Sequence, residues 1–241
     1  MKRLNFLIML IIAATLMSCG GKKFKKNPVD QIVKDMPTDR VFSIVLHDMD
    51  VEGSFFKTYK HQYKIIEEKE KDKPEEYVTG WYEVSEQFFD RNTDNMGMEV
   101  ASRGEDGKLV KAVNPPGYNN YVGNSRYGHW VNRGGTSFWE FYGQYAFMSS
   151  MFNMLAYPVR RSYYDDYRTN YYGRGRSYYG PSVNGSPYYG TYSNYNRSTR
   201  SNSRWSQNTN SFRSRVNSRT SRSSSRYSGS SSRSRGGGFG K

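Results

Sequence analysis

Val41-Phe42-Ser43-Ile44-Val45-Leu46 is apolar on both alternating faces and rich in β-branched residues, the pattern of a strand covered on both sides. It runs on through His47-Asp48-Met49-Asp50-Val51 and is turned by Glu52-Gly53-Ser54. A strand of this kind has to lie inside a sheet, so the neighbouring segments are its partners. Phe55 to Ile66 alternates, with Phe55, Tyr59, Tyr63 and Ile65 on one side and Thr58, Lys60, Gln62 and Lys64 on the other, which predicts a half-buried strand. The charged run Glu67 to Glu76, containing Pro74, reads as a loop, and Tyr77 to Val84 pairs back. Ser85 stands where an N-cap would, ahead of one or two helical turns in Glu86-Gln87-Phe88-Phe89. Met98 to Arg103 and Lys108 to Val113 flank Glu105-Asp106-Gly107, whose Asp-Gly step signals a hairpin. Upstream, Pro28 to Met36 predicts a short helix with Pro28 in its first turn and Met36-Pro37 at its end. The sum is an α+β domain, a small antiparallel sheet of about five strands with short helices, spanning residues 28–158.

Asn114-Pro115-Pro116-Gly117 stops the sheet, and Tyr118 to Gly135, aromatic and Gly/Asn-rich, reads as a loop packed on the domain. Ser137-Phe138-Trp139-Glu140 has capping-box spacing and predicts an aromatic-rich helix over residues 137–156, ended by Tyr157-Pro158. Its apolar arc is wide enough to be a core helix, an interfacial membrane helix or a docking surface for a protein partner. Glu140, Gln144 and Asn153 argue against a transmembrane span.

The N-terminus carries a different kind of information. Met1-Lys2-Arg3 is followed by the fourteen mostly apolar residues Leu4 to Met17, short of the roughly 20 that a membrane span needs. The run closes on Leu16-Met17-Ser18-Cys19, which holds the only cysteine in the sequence. These four residues resemble the lipobox of bacterial lipoproteins. The resemblance implies a signal peptide over residues 1–18, cleavage before Cys19 and lipidation of Cys19. It also implies a membrane partner through that anchor and, from Gly20 in place of an Asp, an outer membrane facing the periplasm where the cell has one. Residues 19–27 form a tether whose Lys22, Lys23, Lys25 and Lys26 suit anionic headgroups. Ser137-Phe138-Trp139 before a Met-rich segment, with a Ser/Arg tail ending in Gly-Gly-Phe-Gly, resembles a group of enterobacterial lipoproteins with domains of unknown function; it covers two fragments and transfers no site.

The net charge of +14 is placed entirely after Val159: residues 160–241 hold fifteen arginines and Lys241 against Asp165 and Asp166 alone. Such a segment reads as an interaction tail. Tyrosine pairs recur at Tyr163-Tyr164, Tyr171-Tyr172, Tyr178-Tyr179 and Tyr188-Tyr189 before Ser and Arg take over from Arg197. With little aliphatic surface to bury, residues 159–241 are expected to be a disordered basic tail. Its candidate binding residues are Arg174, Arg176, Arg197, Arg200, Arg204, Arg213, Arg215, Arg219, Arg222, Arg226, Arg233 and Arg235. Guanidinium forks pair bidentately with phosphate and carboxylate, and tyrosine faces stack on Arg or on sugar rings. The expected partners are therefore an anionic polysaccharide or peptidoglycan. Arg174-Gly175-Arg176 and the Gly-rich end look like Arg-Gly motifs of RNA-binding proteins, but the export signal argues against nucleic acid.

Catalytic chemistry has little support in the sequence. His47-Asp48-Met49-Asp50 is the one constellation resembling a metal or acid/base site, yet on a regular strand His47 and Asp48 face opposite ways. His61 lies on the aromatic side of its strand, and His129 stands beside Trp130. Gly134-Gly135-Thr136-Ser137 before a helix would offer backbone N–H groups to a phosphate, without the Lys of a P-loop. There is no cofactor fingerprint and no zinc spacing. The expectation is a non-enzymatic, lipid-anchored cell-envelope protein. The alternatives are an envelope enzyme or enzyme accessory that binds glycan through residues 114–135, with Glu140 as its carboxylate, and nucleic-acid binding through the arginines.

Overall fold

The structure, a computed structural model, describes residues 27–53, 56–155 and 157–207. Its centre is a six-stranded antiparallel sheet, in an α+β fold. The strands are β1 (Val41–Glu52), β2 (Thr58–Glu70), β3 (Lys73–Val78), β4 (Tyr82–Val84), β5 (Glu99–Arg103) and β6 (Leu109–Val110), in the order β3-β2-β1-β5-β6, with β4 also on β2. The strand that is apolar on both faces is the central one. The outer edge of β2 is shared by β3 and β4, and Thr79 fills the step between them, its N–H bonding to the Tyr63 carbonyl and its Oγ1 accepting from the Tyr63 N–H.

Helix α1 (Pro28–Asp35) is capped by Asn27 and α2 (Glu86–Arg91) by Ser85, whose hydroxyl accepts from the Phe88 N–H at 3.2 Å. The Asp-Gly hairpin forms, Arg103 pairing with Leu109, although β6 is only two residues long. The charged run 67–76 is not a loop. Strand β2 continues to Glu70, turns at Lys71-Asp72 and returns as β3, with ion pairs Lys64–Glu76 (2.8 Å) and Lys69–Glu75 (3.1 Å) across the strands. Alternating charge conceals strand periodicity, because the cue being read is apolarity.

Residues 137–156 do not form a helix. Strand β7 (Gly128–Arg133) and strand β8 (Thr136–Phe141) make a hairpin with Trp130 opposite Trp139. Its two-residue turn is Gly134-Gly135, both at positive φ (58° and 79°), the conformation that a tight hairpin turn with the right twist demands. The Ser137-to-Glu140 spacing is thus coincidental; aromatic and β-branched residues with a Gly-Gly step ahead of them are a strand signal. Only a 3₁₀ turn (Gly143–Tyr145) and α3 (Met148–Met151) follow. Among the described residues no helix is long and apolar enough to cross a membrane.

The fold also extends past Pro158. Helix α4 (Arg161–Asn170), a small hairpin β9 (Ser182–Val183) and β10 (Ser186–Pro187), α5 (Asn194–Thr199) and α6 (Arg204–Gln207) pack on the domain. Tyr167, Tyr178, Tyr189 and Tyr195 are each no more than 3 % exposed. The expectation of disorder over residues 159–207 is corrected by the kind of surface buried. A tyrosine buries roughly 150–250 Å², and these hydroxyls find acceptors: Tyr178 donates to the Tyr163 carbonyl (2.9 Å), Tyr179 to Asn95 (2.7 Å) and Tyr195 to the Phe152 carbonyl (3.0 Å). Residues 208–241 lie outside the described residues.

Two cores result. One gathers Phe42, Ile44, Leu46, Met49, Tyr63, Phe89 and Trp205; the other gathers Ile66, Met98 and the aromatic residues of 118–195. Trp205 is 2 % exposed and its ring centroid lies 6.0 Å from that of Phe89. Trp205→Ala is expected to cost about 3–5 kcal/mol. Denaturant unfolding of the full chain checks this, and a loss under about 1 kcal/mol would mean that α6 is not part of the core.

Candidate functional site

Two register irregularities place polar groups against the sheet. On β1 the pairing with β2 slips between Leu46 and Asp48, so His47 is an extra residue; the apolar side runs through Phe42, Ile44 and Leu46 and resumes at Met49. On β5 the pairing with β1 slips between Ala101 and Glu99, so Ala101 stands opposite Ile44 and Glu99 opposite Val45. Asp48 and Asp50, both buried, therefore meet the C-terminal segment instead of the apolar core, and Glu99 points into the aromatic layer.

The C-terminal segment docks on the first of these places. Arg200, 9 % exposed, donates to the His47 carbonyl (2.6 Å) and meets His47 Nδ1 at 2.9 Å. Gly97 is at φ +82°, a conformation that favours glycine, and a Cβ there would crowd Arg200 Nε at 3.1 Å. Asp48 accepts from the backbone N–H groups of Arg204 (2.7 Å) and Trp205 (3.2 Å) at the start of α6. Arg204 pairs with Asp50 (2.7 Å) and Glu52 (3.3 Å) and lies over the Trp81 ring. Burial, with the Arg200 charge beside it, lowers His47 to about 4, so it is a neutral acceptor for the guanidinium; burial raises Asp48, against its hydrogen bonds. The His47–Asp50 constellation is thus a mount for the chain's own arginines. Arg200 and Arg204 are corrected from polymer-binding candidates to structural residues.

Of the remaining tail candidates, Arg174, Arg176 and Arg197 are exposed, Arg176 resting over the Tyr171 ring at 5.1 Å. Arg213, Arg215, Arg219, Arg222, Arg226, Arg233 and Arg235 lie outside the described residues, as does Cys19. His129 is exposed and stacked on Tyr142, with centroids 5.2 Å apart. Glu140 is engaged by Arg133 at 2.9 Å, and Gly134-Gly135 is a hairpin turn, not a helix start that could cradle a phosphate. Among the described residues no three His, Cys, Asp or Glu groups converge as metal ligands.

The residues that converge instead come from the Asn-rich stretch after Gly117. Glu99 is fully buried and accepts from Asn114 Nδ2 (3.1 Å), Asn119 Nδ2 (2.8 Å) and the Gly117 N–H (3.2 Å). With no cation on it, burial raises its pKa against those hydrogen bonds. Asn119 also accepts from the Tyr167 hydroxyl, which ties the loop to α4. Beside it, Arg126 reaches Asp72 and Glu105, and Glu68 at 3.7 Å, while Tyr145 donates to Asp72 (3.0 Å) and Tyr127 to Glu68 (2.6 Å). One guanidinium thus gathers the β2–β3 and β5–β6 turns. Between the β5–β6 turn and the Asn119–Tyr127 loop lies a polar cleft of about 130 Å³, lined by Gly104, Asp106, Lys108, Asn119, Asn120, Asn124 and Tyr172 among others. Periodicity could not reveal this cleft, because it joins two loops; Asn119-Asn120, Asn124 and the Asp-Gly turn are its visible traces in sequence.

His61 answers to burial alone. It is 0 % exposed, with Nδ1 3.1 Å from the Tyr63 hydroxyl, and burial lowers its pKa from 6.5 to about 3. A depressed histidine contributes stability that is present above its unfolded value and is lost as pH falls, since only the unfolded chain takes up the proton. His61→Phe is therefore expected to flatten the acid limb. Between about pH 6.5 and pH 3 the wild type should lose stability relative to the variant by up to about 1.4 kcal/mol per pH unit, measured by denaturant unfolding across pH. Parallel curves would show that His61 does not stay neutral in the fold.

No family model matches this chain, and neither a curated protein nor a solved structure matches it.

Proposed function

We propose that this is a non-enzymatic, lipid-anchored protein of the bacterial cell envelope that carries its basic C-terminal segment to an anionic polymer. Lipidation at Cys19 fixes one end. One observation carries the rest of the reading: Arg200 and Arg204 are held by His47, Asp48 and Asp50, so the arginine-rich run starts from a mount on the central strand. Beyond it, residues 208–241 hold seven arginines and Lys241 and no acidic residue. Polysaccharide phosphate or carboxylate, or peptidoglycan, suits guanidinium forks.

Two experiments test this. Cys19→Ala is expected to leave an unprocessed or soluble precursor that takes up no labelled fatty acid; labelling like the wild type would remove the anchor. In a pull-down with lipopolysaccharide and peptidoglycan, the full chain should be retained at low salt and released as salt rises, through screening and counterion release. Replacing the seven arginines after Gln207 by lysine keeps the charge and should still weaken retention several-fold, because the planar fork is lost. Equal retention would reduce the segment to a nonspecific cationic brush.

A further inference from the structure

The polar cleft between the β5–β6 turn and the Asn119–Tyr127 loop has no part in the arginine mount, and its unused groups have a distinctive mixture. Asn120 gives both amide hydrogens to backbone carbonyls, of Phe42 (3.0 Å) and Arg103 (3.1 Å), which fixes its Oδ1 as an acceptor. That oxygen and Asp106 Oδ1 stand 3.3 and 3.2 Å from where a Cβ on Gly104 would be, so the cleft floor exists because residue 104 has no side chain. Asp106 Oδ1 takes the Lys108 N–H at 3.0 Å, leaving Oδ2 as a second acceptor. Asn124 Nδ2 spends one hydrogen on the Asn120 carbonyl (3.3 Å) and keeps another, and the Lys108 ammonium has no ion pair among the described residues. Tyr172, with the Arg168 guanidinium 3.8 Å from its ring centroid, adds an aromatic wall.

Free acceptors and free donors therefore line one small space. An anion would meet Asp106 as well as Lys108, and a cation the reverse. A hydroxyl both donates and accepts, so a ligand bearing several hydroxyls satisfies every group at once. At about 130 Å³ the cleft is smaller than the roughly 300–1,000 Å³ that holds a drug-sized molecule, and fits one ring of a chain that continues outside. We propose that the cleft bounded by Gly104, Asp106, Lys108, Asn120, Asn124 and Tyr172 is a binding site for one neutral saccharide unit of a glycan chain. Asp106 and Asn120 accept from its hydroxyls, Lys108 and Asn124 donate to them, and Tyr172 flanks the ring. The preformed backing supports this: Asn120 is held by two backbone carbonyls, and Asn119 behind it by Glu99 and Tyr167.

The test is titration calorimetry on the full-length protein in detergent, with two neutral probes, the β-1,4-linked tetramers of N-acetylglucosamine and of glucose. Oligogalacturonate and spermine serve as anionic and cationic counterparts. At least one neutral tetramer should bind, with affinity nearly independent of salt. Gly104→Leu, which fills the floor at a backbone conformation open to any residue, should abolish binding; Lys108→Ala, at an exposed position, should weaken it about fivefold. Melting temperatures within the wild-type range keep both variants informative. Replacing the seven arginines after Gln207 by alanine should leave neutral-sugar binding unchanged, which separates this site from the basic segment. Failure of both neutral tetramers to bind, unchanged affinity in Gly104→Leu, or selective binding of oligogalacturonate or spermine would overturn the proposal.

Discussion

The structure depends on β1 being buried on both faces while departing from regular pairing on each side. A strand whose side chains alternate strictly would send Phe42, Ile44, Leu46 and then Asp48 to one face, putting a carboxylate where Met49 now packs. The extra residue at His47 prevents this by resetting the phase. Its counterpart opposite β5 moves Glu99 out of the aliphatic core and into a bed of asparagine amides. Both faces can then be covered, one by α1, α2 and Trp205, the other by the aromatic layer, without stranding a charge in hydrocarbon.

The aromatic layer is unusual in its means. Among the described residues its core contains no leucine, and tyrosines meet edge-to-face in succession, Tyr118 with Tyr164, Tyr167 and Tyr189, and Tyr189 with Tyr195. Such contacts add about 0.5–1.5 kcal/mol each beyond area burial, but a buried hydroxyl is costly without a partner, and among the described residues Tyr121 is left without one. That need explains why the layer is threaded with asparagines and backbone carbonyls, Asn95 and Asn119 among the acceptors. A polar cleft next to this layer follows from the same chemistry, since a core built of tyrosine brings amides with it.

The sheet was legible in the sequence and most of what covers it was not. Val41–Leu46, the Asp-Gly hairpin, Ser85 and Pro28 carry local signals that the fold obeys. The hairpin 128–141 was hidden because Ser137 to Glu140 imitates a helix cap, and the 67–76 strands because their alternation is one of charge. Residues 159–207 read as a tail because their aliphatic content is low, whereas Tyr167, Tyr178, Tyr189 and Tyr195 are core residues. For the site, arginine density marks Arg200 and Arg204 but not that they are held by His47, Asp48 and Asp50. Asn120, Glu99 and Gly104 carry no local signal of their roles, because only tertiary packing brings the two loops together.

The contact between His47 and Arg200 spans 153 residues of chain. A partner so far downstream has an effect on the order of events during biogenesis. The part of the central strand's cover that Arg200 and Trp205 supply cannot form until those residues have been synthesised, and non-local closure of this kind is slow. Placing Trp205 in the core thus couples completion of that core to synthesis of most of the chain.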